Sequence, residues 1–109
     1  MATVPVAAIT RDGVAVTYAT ASGGGDKVKP GDGVFLLVKN GSGGSLTVTI
    51  SGVGQTGYGV DLPDKTFTVA AGADRAIPML AAYGDPEDGR LASIGWSSPT
   101  SITFAALRI

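Results

Sequence analysis

Residues 34–50 read VFLLVKNGSGGSLTVTI, and this stretch decides the fold class. Its first five residues form an uninterrupted apolar run, which is typical of a strand buried on both faces, although periodicity alone leaves a short helix open. After the loop at 40–44, apolar residues alternate with small hydroxyl residues, the pattern of a half-buried antiparallel strand. Residues 34–39 and 45–51 are therefore predicted to form a hairpin.

Turn signals at short intervals mark out the other strands. Each of these segments is bounded by Gly, Pro, Asp or Ser clusters, and together they cover residues 4–9, 14–19, 66–70, 75–80, 90–97 and 101–108. The last four segments are predicted to pair as two further hairpins in chain order. Pro78 cannot donate to a β ladder, so its strand is expected at a sheet edge or at a bulge. The sequence predicts an all-β, antiparallel β-sandwich or jelly-roll-like barrel of about seven or eight short strands.

The chain divides into two unequal parts. Residues 1–10 are predicted to form an extended N-terminal arm, and residues 11–109 a single β-sandwich domain. A terminal segment of this kind is disordered unless something ties it down. Its apolar side chains Val4, Val6 and Ile9 are candidate protein contacts, through strand addition to a neighbouring subunit or to another protein surface.

Composition excludes several classes of protein. Seventeen glycines and six prolines in 109 residues leave little sequence for long helices, while 44% hydrophobic and 16% charged residues exclude an intrinsically disordered chain. The formal net charge is −1 and no basic tract occurs, so nucleic acid is not an expected partner. No segment resembles a signal peptide or approaches the roughly 20 apolar residues of a membrane span, so no membrane partner is expected.

Catalysis and metal binding are not expected either. The chain has no cysteine and no histidine, which removes the usual nucleophile activator and the commonest zinc ligand. The glycine spacing over 52–57 matches a dinucleotide-binding loop, but no helix is predicted to follow it. The acids Asp85, Glu87 and Asp88 lack the spacing of a calcium loop and suit a turn. The prediction is a protein that is not an enzyme, with no catalytic residue, cofactor or metal.

Aromatic residues separate into two groups. Four lie on apolar strand phases and are predicted to be core residues: Phe35, Phe67, Trp96 and Phe104. Tyr58 and Tyr83 lie in predicted loops, where an exposed tyrosine is a candidate protein contact.

Several segments together resemble a known group of proteins. Residues 29–41 (KPGDGVFLLVKNG), 45–50 (SLTVTI), 68–72 (TVAAG) and 88–91 (DGRL) are similar to segments of small virion proteins of tailed bacteriophages. Their order resembles capsid decoration, or cement, proteins of phages with high-GC actinobacterial hosts. The resemblance spans roughly residues 10–109.

The resemblance implies a structural role. A protein of this family would be made in the host cytoplasm and would reside on the capsid surface of the virion, bound to the major capsid protein. It would act as a homo-oligomer, with a trimer as the expected state, and it would carry no catalytic residues. Two alternatives remain open at this point: a tail, neck or head-completion protein, and a carbohydrate- or surface-binding β-sandwich module.

Overall fold

A computed structural model describes residues 2–86 and 88–109, in which there are ten strands and one short 3₁₀ helix, η1 (Ala81–Tyr83). In chain order the strands are β1 (Ala2–Val4), β2 (Ala7–Ala8), β3 (Ala19–Thr20), β4 (Asp26–Val28), β5 (Val34–Asn40), β6 (Leu46–Ile50), β7 (Lys65–Val69), β8 (Asp74–Pro78), β9 (Ala92–Trp96) and β10 (Ile102–Arg108). The all-β prediction is confirmed. The strand count exceeds the expected seven or eight because four strands of two or three residues, β1 to β4, occur where only the segments 4–9 and 14–19 were predicted, and β4 was not predicted.

The strands form two sheets that pack face to face as a sandwich. Sheet A has the order β1-β4-β9-β6-β7, and sheet B has the order β2-β10-β5-β8, with β3 also paired to β10. Two pairings depart from the expected antiparallel arrangement, because β1 runs parallel to β4 and β2 runs parallel to β10. Strand β8, which ends at Pro78, is an edge strand of sheet B, as its proline required.

The three predicted hairpins are wrong in their pairing, although their strands exist. Strand β5 belongs to sheet B and β6 to sheet A, so the loop at 41–45 crosses between the sheets. The connections β7 to β8 and β9 to β10 cross in the same way. Alternation of apolar residues fixes which face of a strand is buried, but it carries no information on which strand lies beside it.

Strand β5 has one face in the core and one face outside it. Leu36 and Val38 are fully buried between the sheets, whereas Phe35 and Leu37 are half-buried on the outer face of sheet B. The prediction that this run is buried on both faces is therefore wrong, and so is the assignment of Phe35 to the core. Phe104 does lie in the core, on the neighbouring strand β10.

The remaining aromatic predictions for the core hold in part. Trp96 is half-buried, and its ring packs against Phe104 with centroids 4.9 Å apart. Phe67 is half-buried against the core at the edge strand β7, and the guanidinium group of Arg75 lies 5.6 Å from its ring. Arg75 also donates to the carbonyl oxygen of Thr68 at 2.7 Å, so it links β8 of sheet B to β7 of sheet A.

A buried asparagine holds two of the crossing loops together. Asn40, at the end of β5, is 2% exposed, and its Nδ2 donates to the carbonyl oxygens of Gly44 at 2.9 Å and Val69 at 3.0 Å. Its Oδ1 accepts from the backbone N–H and the hydroxyl of Ser42. These bonds serve loop and strand ends that sheet pairing alone leaves without a partner, so Asn40 fixes where β5 ends relative to sheet A.

A buried carboxylate plays a comparable part in sheet A. Asp26, at the start of β4, is fully buried. It accepts hydrogen bonds from the backbone N–H and the hydroxyl of Ser22 at 2.9 Å, and from Nε1 of Trp96 at 2.8 Å. These bonds tie the turn before β4 to the end of β9, as burial of a charged group requires.

The strand predicted at 14–19 is present only as its last residue, within β3. Residues 9–18, here called the cover segment, instead form an irregular connection from β2 to β3, and Tyr18 near its end lies over the outer face of sheet B. The ammonium group of Lys39 on β5 is 4.4 Å from the centroid of the Tyr18 ring, and Ala105 and Leu107 on the outward phase of β10 are buried although they lie outside the core cluster. The cover segment therefore shields the β10 side of this face.

Candidate protein-contact surface

The loop at residues 51–64 is the most prominent candidate site. It connects β6 to β7 within sheet A and lies at the opposite end of the sandwich from the crossing loop at 41–45. Three of its large apolar side chains are exposed, at 84% for Tyr58, 54% for Val60 and 44% for Leu62. Side chains of this kind, fixed on a rigid scaffold, are typical of a contact surface for another molecule.

Hydrogen bonds across the loop hold its two halves together. The N–H of Thr56 donates to the carbonyl oxygen of Val60 at 2.8 Å, and the side chain of Gln55 donates to the carboxylate of Asp61 at 2.8 Å. A turn closed by the N–H of Gly59 and the carbonyl oxygen of Thr56 forms the tip and carries Tyr58. The loop is thus an irregular extension of the β6–β7 pair, and its tip has a defined geometry.

The glycine spacing at 52–57, which matches that of a dinucleotide-binding loop, has a structural role in this chain. A Cβ at Gly52 would collide with the carbonyl oxygens of Leu62 and Pro63, so only glycine lets the two ends of the loop cross. Gly59, two residues past this pattern, has φ of +82°, which suits glycine at the tip. The spacing therefore serves the closure of the loop.

The base of the loop adjoins η1. Ala82 and Tyr83 of η1 line the same cleft as Val53 and Leu62 of the loop. Tyr83, predicted as an exposed contact, is instead half-buried and packs against the core. Leu80, which directly precedes η1, is 52% exposed and adds an apolar side chain at the start of this helix.

A shallow cleft beside the loop is lined by polar side chains, namely Gln55, Asp61, Asp64 and Asp85. Asp61 accepts from Gln55, and Asp64 accepts from the N–H of Gly52 at 2.7 Å. The cleft thus presents carboxylates that already take part in the closure of the loop. Within residues 2–86 and 88–109, no group of three or more acidic residues is placed to hold a metal ion.

The predicted acidic cluster at 85–88 is only partly visible. Glu87 lies outside the described residues. Asp85 closes a turn through its carbonyl oxygen, which accepts from the N–H groups of Asp88 and Arg90. The carboxylate of Asp88 forms an ion pair with Lys27 on the outer face of sheet A.

The N-terminal arm lies on its own domain. Strand β1 adds to the edge of sheet A and β2 to β10 of sheet B, so the arm spans the two sheets. Val4 and Val6 are half-buried against the core, and the N–H of Ile9 donates to the carbonyl oxygen of Arg108 at 2.7 Å. The arm was expected to add a strand to a neighbouring protein, but in the structure it adds strands to the two sheets of its own chain. Val4 and Val6 pack against the core of the same chain.

Sequence reasoning identified Tyr58 but missed its neighbours Val60 and Leu62. The pattern Val60-x-Leu62 directly after the turn at 57–59 was a usable signal, because apolar side chains among Gly, Asp and Pro residues have no strand partner to bury them. The outward position of Phe35 and Leu37 had no such signal, since their strand reads as apolar throughout.

Comparisons of the chain with models of protein families, with curated proteins and with solved structures find no match. In the part of the chain that the structure describes, no helix has the length and apolar character needed to cross a bilayer.

Proposed function

We propose that this chain is a structural virion protein of a tailed bacteriophage, which binds the outer surface of the capsid and stabilises the head as a decoration protein. The observation that carries the proposal is the ordered loop at 51–64, with Tyr58, Val60 and Leu62 exposed at one end of a rigid sandwich. The resemblance of four segments to decoration proteins supports the same assignment.

The proposed mechanism is burial of surface. A standard contact buries about 800 Å² per partner, and repetition over many sites multiplies the effect on the shell. Tyr58 is suited to the centre of such a contact because tyrosine combines a large apolar surface with a hydroxyl group that can be hydrogen-bonded. The major capsid protein is the proposed partner.

Binding to undecorated heads tests the proposal. The purified chain is mixed with heads that lack it, and the bound fraction is measured by co-sedimentation. Val60→Asp places a charge in the proposed contact and should weaken binding at least tenfold, since a buried unpaired charge costs more than the roughly 1.4 kcal/mol that equals a tenfold change.

Ala71→Asp is the matched control. Ala71 is also an exposed apolar residue in a loop, but it lies at the opposite end of the sandwich, between β7 and β8. It should leave binding unchanged. Equal binding by the parent and by Val60→Asp, with both proteins folded, contradicts a capsid contact through this loop.

A tail, neck or head-completion protein could use the same loop. Copy number separates these roles, because a decoration protein is present in many copies per head and a completion protein in few. Quantitative gel analysis of the virion distinguishes them.

The polar cleft favours a second candidate, a carbohydrate- or surface-binding module. Gln55 and Asp61 line the cleft, and exposed Tyr58 belongs to the same loop although it does not line the cleft. Amide and carboxylate groups are suited to the hydroxyl groups of a sugar. A glycan array tests this candidate. Specific binding that Tyr58→Ala abolishes, combined with no affinity for heads, would replace the capsid proposal.

A further inference from the structure

A second surface of the molecule is apolar and is formed by the strands β5 and β8. Their outward residues stand opposite one another in register, as three pairs. We call this set the β5–β8 face: Phe35 with Pro78, Leu37 with Ala76, and Lys39 with Asp74. Phe35 and Leu37 are half-buried, and their partners Pro78, Ala76 and Asp74 on β8 are exposed. Contiguous apolar surface of this kind on a soluble chain is typical of an interaction site.

We propose that the β5–β8 face binds a second copy of this chain around a two-fold axis that runs parallel to the strands and between β5 and β8. Such an axis exchanges the positions of β5 and β8. Leu37 then lies opposite Ala76 of the second copy, and Phe35 opposite Pro78 of the second copy. Each large side chain meets a smaller one, which is the self-complementarity that a two-fold interface requires.

The charges on this face favour a second copy over an unrelated partner. The same axis places Lys39 opposite Asp74 of the second copy. By symmetry this pair of opposite charges occurs twice in the interface. Among the described residues neither Lys39 nor Asp74 forms an ion pair within the chain, and Lys39 lies over the Tyr18 ring. A partner with a uniformly positive or uniformly negative surface would leave one of the two charges facing its own sign.

The shape of the molecule is compatible with this pairing. The chain measures 43 × 35 × 20 Å, and the β5–β8 face is only part of one of its broad faces. A standard interface of about 800 Å² per partner would therefore also include the cover segment. The cover segment rises above the β10 side of sheet B. The two-fold axis carries the cover segment of the second copy past the β8 edge of the first, where its exposed Val14 and Val16 would flank that edge.

The resulting dimer differs from the trimer that the sequence led us to expect, and it is independent of the capsid proposal. The test uses the purified full chain in the absence of heads. Sedimentation equilibrium over a wide range of concentration should fit a monomer–dimer association. Leu37→Lys should raise the dimer dissociation constant by roughly tenfold to a hundredfold, because four ammonium-bearing side chains would then meet across the axis.

Thr49→Lys is the matched control, since Thr49 occupies a central outward position on β6 in sheet A. It should leave the dissociation constant unchanged. Lys39→Asp and Asp74→Lys should each weaken the dimer about tenfold, and the double variant should restore it, because the exchanged charges again face each other. Thermal melts of each variant confirm that the monomer still folds.

Three results would overturn the proposal. They are a chain that stays monomeric at its highest soluble concentration, a trimer, and a dimer that Leu37→Lys leaves intact. A monomer that loses affinity for heads on Leu37→Lys would show that this face contacts the capsid instead.

Discussion

The two outer faces of the sandwich have the same architecture and opposite chemistry. The outward residues of β6, β7 and β9 in sheet A are hydroxyl-bearing or glycine: Thr47, Thr49, Thr66, Thr68, Ser93 and Gly95. The outward residues of β5 and β8 in sheet B are mostly apolar. Water can hydrate the first face through its hydroxyl groups, whereas the second face gains free energy when another surface covers it.

The inner faces of both sheets carry the fold, and the difference between the outer faces is the basis of the interaction proposed for the β5–β8 face. Both sheets point aliphatic side chains toward one core, and on that side they are alike. Only the outward phase distinguishes them. Because successive residues of a strand point to opposite faces, one strand can take part in both roles with adjacent residues.

The largest effect is expected from two adjacent leucines of β5 that point in opposite directions. Leu36→Ala, in the core, should lower the free energy of unfolding by about 2–5 kcal/mol through lost burial and a cavity. Leu37→Ala, on the outer face, should lower it by roughly 1 kcal/mol or less in the monomer. Urea unfolding followed by Trp96 fluorescence measures both. Equal losses would show that the two faces of β5 are equivalent.

The next effect concerns the residue that holds β5 in its position relative to sheet A. Asn40→Ala should lower the free energy of unfolding by about 2–3 kcal/mol, because carbonyl oxygens of Val69 and Gly44 lose a donor. Ser42→Ala serves as the control. It removes one hydroxyl partner of Asn40 and keeps the backbone one, so its cost should be about 1 kcal/mol or less. A larger loss for Ser42→Ala would refute the central role of the amide.

A smaller loss of stability is expected when the buried polar contact of sheet A, between Trp96 and Asp26, is removed. Trp96→Phe keeps an aromatic ring near Phe104 but removes the Nε1 donor to Asp26, and it should cost about 1–2 kcal/mol. The melting temperature measured by circular dichroism checks this value. A stability equal to that of the parent would mean that the donors from Ser22 suffice for the buried carboxylate.

The smallest effect on stability is expected from substitutions on the outer face of sheet A, which test the difference between the two outer faces directly. The double variant Thr49→Val, Thr66→Val makes sheet A resemble sheet B on its outside, and the two residues are register partners. Its free energy of unfolding should stay within about 0.5 kcal/mol of the parent, as for other surface substitutions. Light scattering should nevertheless show increased association, because the new patch is apolar. Unchanged scattering would mean that the chemistry of this face does not control association.

Much of the fold could be predicted because the relevant signals are local. The alternation at 46–50 and the punctuation by Gly, Pro and Asp placed all six strands of five or more residues. The exposure of Tyr58 followed in the same way from its position between glycines. Its role as a protein contact stays a prediction. The arm at 1–10 was predicted to be extended, but its docking on both sheets depends on contacts with β4 and β10, which no local pattern encodes.

By itself the sequence determined that the chain is all β, where its longer strands lie, and that histidine and cysteine chemistry is absent. The tertiary structure alone decided that the loops after β5, β7 and β9 cross between sheets, and that Phe35 points outward. The reason is that the apolar pattern of a strand states only that one of its faces must be covered, and many neighbours could cover it. Which neighbour does so depends on the packing of the whole chain, in which Asn40 and Asp26 find their hydrogen-bond partners.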